Sequence, residues 1–355
     1  MAKKSILNIA LIGRVDETGV LVDGQTVKTR TLYRELVSDS RVNVYLVDTK
    51  DYRRRFMSVL WHLFVALLHC RNIILCVSSN GRRFFFPTMS FASRCLGKKV
   101  YHDAIANGQA REVSKNPKYL KYMRSFQINW VESQQIVSQL EALGLNNVAY
   151  LPNFKHYVSV SERDRQLKKP YRFCTFSRVM KEKGITQAIQ SIRQLNENTE
   201  SDKAFLLDIY GPIADDYRAE LQALIEDNPT VHYRGVADPE QAPTILSRYH
   251  ALLFPTQWLP EGMPGTILDS LTAGTPIIAS RWSCYDEMLE DGVTGFSYPL
   301  DHPEELTDTI EQLLMMSPES YAEMCHNCKT ESDKYSAEVV FSEMMSYIRV
   351  VNGLQ

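Results

Sequence analysis

Short apolar segments of strand type, each followed by a stretch long enough for a helix, recur along nearly the whole 355-residue chain. This alternation constrains the fold most, because strands that are apolar throughout belong in a parallel sheet that helices cover on both faces. The first half has six such segments, at 5–13, 42–48, 72–79, 98–103, 127–133 and 147–153. The second half has five, at 171–177, 204–211, 231–236, 251–256 and 276–280.

A polar, charge-rich stretch at 161–170 (SERDRQLKKP) separates the two series. The pattern predicts an α/β protein of two doubly wound, Rossmann-like domains with parallel sheets, at 1–160 and 161–334. The amphipathic segment 335–355 is expected to form a helix that returns to the first domain. In such sheets ligands bind at the carboxyl ends of the strands, so functional residues are sought there and in a cleft between the domains.

Composition excludes several classes of protein. Seven cysteines without regular spacing favour a reducing compartment over a disulfide scaffold. The most apolar stretch, 56–70, has 15 residues, whereas a membrane-spanning helix needs about 20. The expected location of the protein is the cytoplasm. Peripheral contact of the protein with the inner face of the cytoplasmic membrane is a further expectation.

The net charge of −2 hides two halves of opposite sign. Residues 1–170 hold 27 Lys+Arg against 13 Asp+Glu, and residues 171–355 hold 13 against 29. A basic half indicates an anionic surface or ligand. No nucleic-acid-binding module is recognisable, so a phosphorylated ligand or an anionic membrane is the simpler partner. The basic-apolar segments 53–68 and 82–86 are either a lipid-docking surface or ordinary helices with basic flanks.

The sharpest motif is FPTQWLPEGMPGTILDSLTAGTPIIAS at 254–280. A strand ends near Thr256, a loop carries Glu261, and a helix is predicted to begin at Pro264 or Gly265 and to end at Gly274. The N–H groups at the start of this helix make an anion site. A solvated loop carboxylate is the alternative for Glu261.

A second motif, FSRVMKEKGI at 176–185, follows the first strand of the second half. Arg178 and Lys183 flank the loop there, and two cations beside a helix N-terminus suit a diphosphate. A solvated pair of surface cations is the alternative.

The first half gives weaker signals. Gly24 precedes a helix and allows backbone to approach a phosphate, although the glycine spacing matches neither a dinucleotide fingerprint nor a Walker A loop. His102 ends a strand, where an imidazole can bind a ligand or transfer a proton. The chain contains no Asp-x-Asp and no Gly-x-Ser-x-Gly, so neither a metal–diphosphate site of that type nor a common hydrolase pattern is supported.

These motifs resemble those of family-4 glycosyltransferases, which are retaining enzymes of the GT-B fold. The segment 260–280 is similar to their Glu-x7-Glu motif, and 176–185 is similar to their Gly-Arg…Lys-Gly motif. DIYGP and VHYRGV fall where later strands of that family approach the nucleoside. Further likenesses are VES (131–133), LPN (151–153) and the strand-end His102-Asp103. Three positions depart from the pattern, namely Asp269 for the second Glu, Ser177 for a Gly, and a single Gly24 for a pair.

The resemblance implies roles for the second half. Arg178 and Lys183 would hold the donor diphosphate and stabilise charge on the leaving group, which makes them catalytic candidates with Glu261. Glu261 would bind the hydroxyl groups of the donor sugar. Backbone amides around them would bind sugar and phosphate, at Gly262, Met263, Gly265 and Thr266.

The resemblance also implies a nucleoside site and two first-half contacts. Asp269 would bind the ribose, and Gly211 and Val236 would bring backbone to the nucleoside. Gly24 would close over the diphosphate, and His102 would lie near the reacting sugar as a catalytic candidate.

The function implied is a retaining hexosyltransferase of bacterial surface-polysaccharide assembly. Its partners would be a nucleotide-sugar donor, expected to be a UDP-sugar, and a glycan or lipid-linked acceptor, without a metal or other cofactor. The alternatives are a nucleotide-sugar 2-epimerase of the same architecture and a non-catalytic nucleotide-sugar-binding protein.

Overall fold

The computed structural model describes residues 6–19, 21, 23–104, 108–156, 160, 166–199 and 204–354. The chain divides into two compact units. Unit 1 comprises 1–156 and 337–355, and unit 2 comprises 157–336. Part of the polar joint predicted at 161–170, namely 161–165, lies outside the described residues, as do 157–159 beside the predicted boundary.

Unit 1 is built on a six-stranded, wholly parallel sheet. Its strands are β1 (Leu7–Gly13), β2 (Val42–Asp48), β3 (Asn72–Cys76), β4 (Lys99–Asp103), β5 (Ile128–Val131) and β6 (Val148–Tyr150), in the order β2-β1-β3-β4-β5-β6. Its helices in this part of the chain are α1 (Gly24–Ser38), α2 (Phe56–His69), α3 (Ser79–Leu96), α4 (Gln109–Lys115), α5 (Lys118–Met123) and α6 (Gln134–Ala142).

Unit 2 repeats the plan with a second parallel six-stranded sheet. Its strands are β7 (Tyr171–Phe176), β8 (Phe205–Tyr210), β9 (Val231–Gly235), β10 (Ala251–Phe254), β11 (Ile277–Ser280) and β12 (Gly295–Tyr298), in the order β12-β11-β10-β7-β8-β9. Its α-helices are α7 (Ile185–Glu197), α8 (Arg218–Ile225), α9 (Ala242–Leu246), α10 (Gly265–Ala273), α11 (Tyr285–Met288), α12 (Leu306–Leu314) and α13 (Pro318–Ser332). Short 3-10 helices lie at Lys181–Lys183, Pro239–Gln241, Pro303–Glu305 and Asp333–Tyr335.

The chain ends with α14 (Ala337–Val351), which packs on unit 1. Its apolar face joins the core on one side of the first sheet through Val340, Met344, Met345 and Ile348. Arg349 forms an ion pair with Asp39 at the end of α1. The last helix is therefore part of the first unit's core.

Both sheets have helices on each face, which explains why their central strands are apolar throughout. In unit 1, β1 contributes Ala10 and Ile12 to one core and Ile9 and Leu11 to the other. The α/β class and the parallel order predicted from the sequence are confirmed. No helix in the described ranges combines the length and the apolar character needed to cross a bilayer.

Candidate functional site

The strand order of unit 2 creates a crevice at the carboxyl edge of its sheet. From β7 the chain proceeds to β8 and β9 on one side, and β10, β11 and β12 lie on the other. Because β7 and β10 are adjacent and parallel, the connections that leave them diverge, and such a switch point is where ligands bind in open α/β sheets. The two strongest motifs of the sequence follow these two strands.

Lys183 and Glu261 meet at this edge. The 3-10 helix after β7 carries Lys183, whose ammonium group donates a hydrogen bond to Oε2 of Glu261 in the loop after β10. The side chains are 9% and 11% exposed, so the ion pair is largely shielded from water. The hydroxyl of Thr256 donates to the same Oε2 at 3.1 Å, and the ammonium group lies 5.6 Å from the centre of the Phe254 ring. The carboxylate of Glu261 is thus held in one orientation.

The two loops pack together through backbone. Gly184 has φ +70°, and a Cβ on it would lie 1.8 Å from the carbonyl oxygen of Pro255. Next to it, the N–H of Gln257 donates to the carbonyl of Glu182 at 2.8 Å. A side chain at 184 would push apart the loops that carry Lys183 and Glu261, so glycine is required there.

Arg178 lies in the connection after β7 and is exposed. Its guanidinium makes no ion pair or hydrogen bond with the described residues, so it is available to an anion. The preceding Ser177 donates its N–H to the carbonyl of Tyr210 at 3.1 Å, which fixes the backbone at the start of the connection.

Gly211 directly follows β8, and its packing alone explains a glycine there. It has φ +133°, and an added Cβ would lie 1.7 Å from the carbonyl oxygen of Ser177. Its own carbonyl accepts a hydrogen bond from the hydroxyl of Tyr233 at 2.9 Å. Val236 follows β9 and is exposed. The nucleoside contacts of Gly211 and Val236 stay predictions.

The helix α10 begins at Gly265 with Pro264 as its N-cap, as predicted. Pro264 supplies no side-chain cap, and the N–H of Ile267 donates to the carbonyl of Pro264 at 3.0 Å, so the N–H groups left for a ligand are those of Gly265 and Thr266. The hydroxyl of Thr266, one residue into the helix, is buried and lacks a hydrogen-bond partner within the part of the chain that the structure describes. An anion at this end of the helix would accept hydrogen bonds from the free N–H groups.

Asp269 lies one turn into α10 and is buried, with 4% of its surface exposed. It already has an interaction partner. Its predicted contact with ribose stays a prediction.

Trp282 completes the site and was missed by the sequence reasoning. It follows β11, the strand beside β10, and its indole N–H donates to the carbonyl of Gly262 at 3.0 Å. Its ring packs edge-on against Phe254 and Tyr285 at 5.3 and 5.4 Å between centres. Trp282 therefore fixes the backbone of Gly262 and buried Met263 beside Glu261. The sequence did contain a signal for Trp282, because this residue follows the predicted strand PIIAS and so lies at the carboxyl end of a third strand.

The switch point of unit 1 lies between β1 and β3. The loop after β1 is organised around Asp16, which is fully buried at φ +49°. Burial alone would raise the pKa of Asp16, but hydrogen bonds from Lys50, Thr18 and the N–H of Leu21 hold that pKa well below its ordinary value. The carboxylate of Asp16 thus holds this loop in shape. At the end of the loop, Gly24 stands where the resembling family has a pair of glycines.

That glycine, Gly24, is the first residue of α1, and Asp23 caps the helix by accepting from the N–H of Thr26 at 3.2 Å. Arg14 braces this start with hydrogen bonds to Asp23 and Thr26. A Cβ on Gly24 would meet no atom within 4 Å. Packing does not require glycine here, and its predicted role toward the diphosphate remains open to test.

His102 lies inside unit 1, away from solvent. It is 0% exposed, its Nδ1 is 3.1 Å from Oδ1 of Asn129, and its ring packs edge-on against Phe86 and Phe126. Burial, with a contribution from nearby Arg82, lowers the pKa of His102 to about 3. The imidazole is therefore neutral at physiological pH, and its predicted place beside the reacting sugar stays a prediction.

The next residue, Asp103, faces the opposite side of the sheet and joins a buried ion cluster that sequence reasoning did not find. Lys28 on α1 donates to Asp103 and Glu132, both at 2.9 Å. The cluster ties α1 to the carboxyl ends of β4 and β5, and so fixes the helix that begins at Gly24.

The two parallel, six-stranded sheets have the architecture of the GT-B fold, and comparison with known proteins agrees. Residues 160–334, which lie in unit 2, match the model of glycosyl transferases group 1. It is 24% identical over 223 residues to alpha-D-kanosaminyltransferase of Streptomyces kanamyceticus. That match spans 60% of this chain and 56% of the relative, little more than half of its length.

Solved structures show the same fold at low identity. Anabaena HepE in complex with UDP superposes with a TM-score of 0.72 at 13% identity, over 96% of this chain and 99% of HepE. Sucrose-phosphate synthase from Thermosynechococcus elongatus gives 0.74 at 13% identity, over 98% and 99%. The TarM mutant of S. aureus, solved with UDP and other ligands, gives 0.63 at 17% identity, over 78% of this chain and 55% of TarM.

Proposed function

We propose that this protein is a retaining, metal-independent glycosyltransferase that moves a hexosyl group from a UDP-sugar to a glycan or lipid-linked acceptor in polysaccharide assembly. The observation that carries the proposal is the Lys183–Glu261 pair at the switch point of unit 2, beside the uncapped start of α10. The matched family and the UDP named in the structures of HepE and TarM support the donor class.

The chemistry assigns distinct tasks to these groups. Transfer breaks the bond between the anomeric carbon and a diphosphate oxygen and forms a bond to an acceptor oxygen, and the proton of that acceptor hydroxyl passes to the departing diphosphate. Negative charge develops on the departing diphosphate, where the guanidinium of Arg178, the ammonium of Lys183 and the N–H groups of α10 would stabilise it. Because Lys183 and the N–H groups of α10 are fixed before the reaction, they cost little reorganisation in the transition state. They also supply the positive charge for which a metal ion would otherwise serve.

Glu261 would orient the sugar. A carboxylate held by Lys183 and Thr256 can accept hydrogen bonds from sugar hydroxyl groups without losing its position. Orientation of this kind lowers the barrier by fixing the reacting carbon toward the acceptor.

The first experiment measures thermal stabilisation by UDP-, GDP-, ADP- and dTDP-sugars in the presence of EDTA. We expect a shift with the UDP-sugar that is absent in Arg178→Ala. Arg172→Ala is the matched control, because Arg172 is also an exposed arginine. It lies near the amino end of β7, whereas Arg178 follows the carboxyl end of that strand. Equal shifts in all three proteins would remove Arg178 from the site.

The second experiment measures transfer with donor and acceptor supplied. Arg178→Ala and Glu261→Ala should each lower kcat/KM by about 10²–10³-fold, as loss of one preorganised charge-stabilising group typically does. Unchanged transfer in both variants would overturn the proposal. Conversion of the donor without acceptor would instead identify the 2-epimerase, and binding without turnover would identify the non-catalytic alternative.

A further inference from the structure

The helix α2 of unit 1 presents apolar side chains on two opposite sides. Val59, Leu63 and Ala66 are buried against the sheet. The other side is exposed and carries large apolar residues at spacings of four, three and four, with 53–75% of each residue accessible: Met57, Trp61, Phe64 and Leu68. Trp61 and Phe64 lie together, with ring centres 6.0 Å apart. This stripe is what a helix lying on an apolar partner displays.

The neighbouring helix α3 extends the stripe. Phe84 and Phe91, seven residues apart, are both exposed. Phe84 and Phe56 line an apolar cleft of about 260 Å³ between the starts of α2 and α3. We call seven of the exposed apolar residues of the two helices the docking face: Phe56, Met57, Trp61, Phe64, Leu68, Phe84 and Phe91.

The segment of the chain that carries the docking face has charged residues of one sign. The 51 residues from 52 to 102 contain nine Lys+Arg and no Asp or Glu. Some of these cations are tied to neighbours, such as Arg82, which pairs with Glu112. The exposed arginines of the segment are Arg53, Arg54, Arg55, Arg71, Arg83 and Arg94.

We infer that the docking face binds the surface of an anionic lipid bilayer, with α2 lying in the interface. Aromatic and aliphatic side chains would enter the headgroup boundary, and the arginines would contact lipid phosphates. A second copy of this chain fits less well, because a symmetric interface would bring two sets of arginines together. The inference goes beyond the proposed function, since docking requires neither donor nor acceptor.

Co-sedimentation of the full-length protein with vesicles tests the inference. Binding to vesicles of phosphatidylcholine with phosphatidylglycerol should exceed binding to phosphatidylcholine alone by at least tenfold and should weaken with salt. Trp61→Ala/Phe64→Ala should lower the partition coefficient at least tenfold, because each ring removes a large apolar area from water. The triple substitution Arg53→Ala/Arg54→Ala/Arg55→Ala should lower the partition coefficient about a hundredfold, because each arginine contributes a factor of about five.

Met315→Ala is the control, since Met315 is an apolar residue of unit 2 that is more exposed than Trp61 and Phe64. Its binding should equal that of the wild type. All altered side chains are exposed, and circular dichroism melting checks that the variants fold. Wild-type binding that is equal on both vesicles, or unchanged in Trp61→Ala/Phe64→Ala, overturns the inference. So does a wild-type dimer in sedimentation velocity that these two substitutions convert to monomer, because the face would then be covered by a second copy.

The donor assay separates this result from the proposed function. If the docking variants lose vesicle binding but keep the UDP-sugar thermal shift, both proposals stand. If the wild type binds vesicles but shows no shift with a nucleotide sugar, docking survives and the proposed function fails.

Discussion

His102 and Lys28 are both fully buried in unit 1, but their surroundings favour opposite protonation states. Burial lowers the pKa of each group. For Lys28 the neighbouring Asp103 and Glu132 reverse that effect and raise its pKa. His102 has no carboxylate to reverse the effect of burial, and the nearby cations Arg82 and Lys28 add to it, so its pKa falls to about 3.

The buried His102 should make the protein sensitive to acid. Between its ordinary pKa of about 6.5 and the folded value of about 3, the unfolded chain binds one more proton than the folded chain at this site. Stability should therefore fall as the pH drops below about 6.5, by up to about 1.4 kcal/mol per pH unit. In His102→Gln this part of the slope should disappear, as measured by urea unfolding at about pH 7.5 and about pH 5.

His302→Gln is the control, because His302 is a surface residue of unit 2 whose pKa is raised by its hydrogen bond to Glu304. Its contribution has the opposite sign and is lost as the pH rises through the raised pKa. Parallel pH profiles for the wild type and His102→Gln would contradict the buried, neutral assignment.

The connections after the strands are the elements that build the site. Each sequence motif identified a strand end, and the sheet brings three of these ends together after β7, β10 and β11. The helix α10 could be predicted almost to the residue, because its proline and glycine boundaries act locally. The contact of Trp282 with Gly262 could not be predicted, because the two residues lie in different loops. These loops meet only because β10 and β11 are neighbours in the sheet.

Trp282 should act as a positioning residue for the loop from Glu261 to Met263. Trp282→Phe keeps most of the aromatic packing but removes the hydrogen bond to Gly262, which is worth about 1 kcal/mol. We expect kcat/KM for transfer to fall about fivefold or more, with the fold and melting temperature nearly unchanged.

Tyr321→Phe is a matched control at the opposite edge of the same sheet, where the Tyr321 hydroxyl donates to the carbonyl of His250 at 2.8 Å. It should leave transfer unchanged. Equal losses in the two variants would show that Trp282 contributes only to stability.

At the scale of the whole molecule, unit 1 is assembled from both ends of the chain. The helix α14 covers one face of the first sheet with the methyl group of Ala337 and four large buried apolar side chains. Burial of each is worth about 1.5–3 kcal/mol, so together they approach the total stability of a typical domain, about 5–15 kcal/mol.

A chain that ends at Ser336 should therefore lose the fold of unit 1. Limited proteolysis should cut within 1–156 in this truncated protein, whereas a chain that ends at Asn352 should stay protected. The longer control keeps the hydrogen bonds from Asn352 to Asn72 and from Lys99 to the end of α14. Protection of unit 1 in both truncated chains would mean that α14 is dispensable for folding.

The sequence by itself determined the two parallel sheets, the helix at 265–273 and the strand ends at which Arg178, Lys183 and Glu261 lie, because apolar runs, caps and turns act over short distances along the chain. Tertiary structure decided which of those residues meet. It paired Lys183 with Glu261 across 78 positions, placed His102 in the core and Asp103 on the other face, and made Gly211 a packing necessity. It also left one side of α2 exposed while burying the other. Those outcomes depend on strand order and on which side of a sheet each residue faces, and neither is encoded in local spacing.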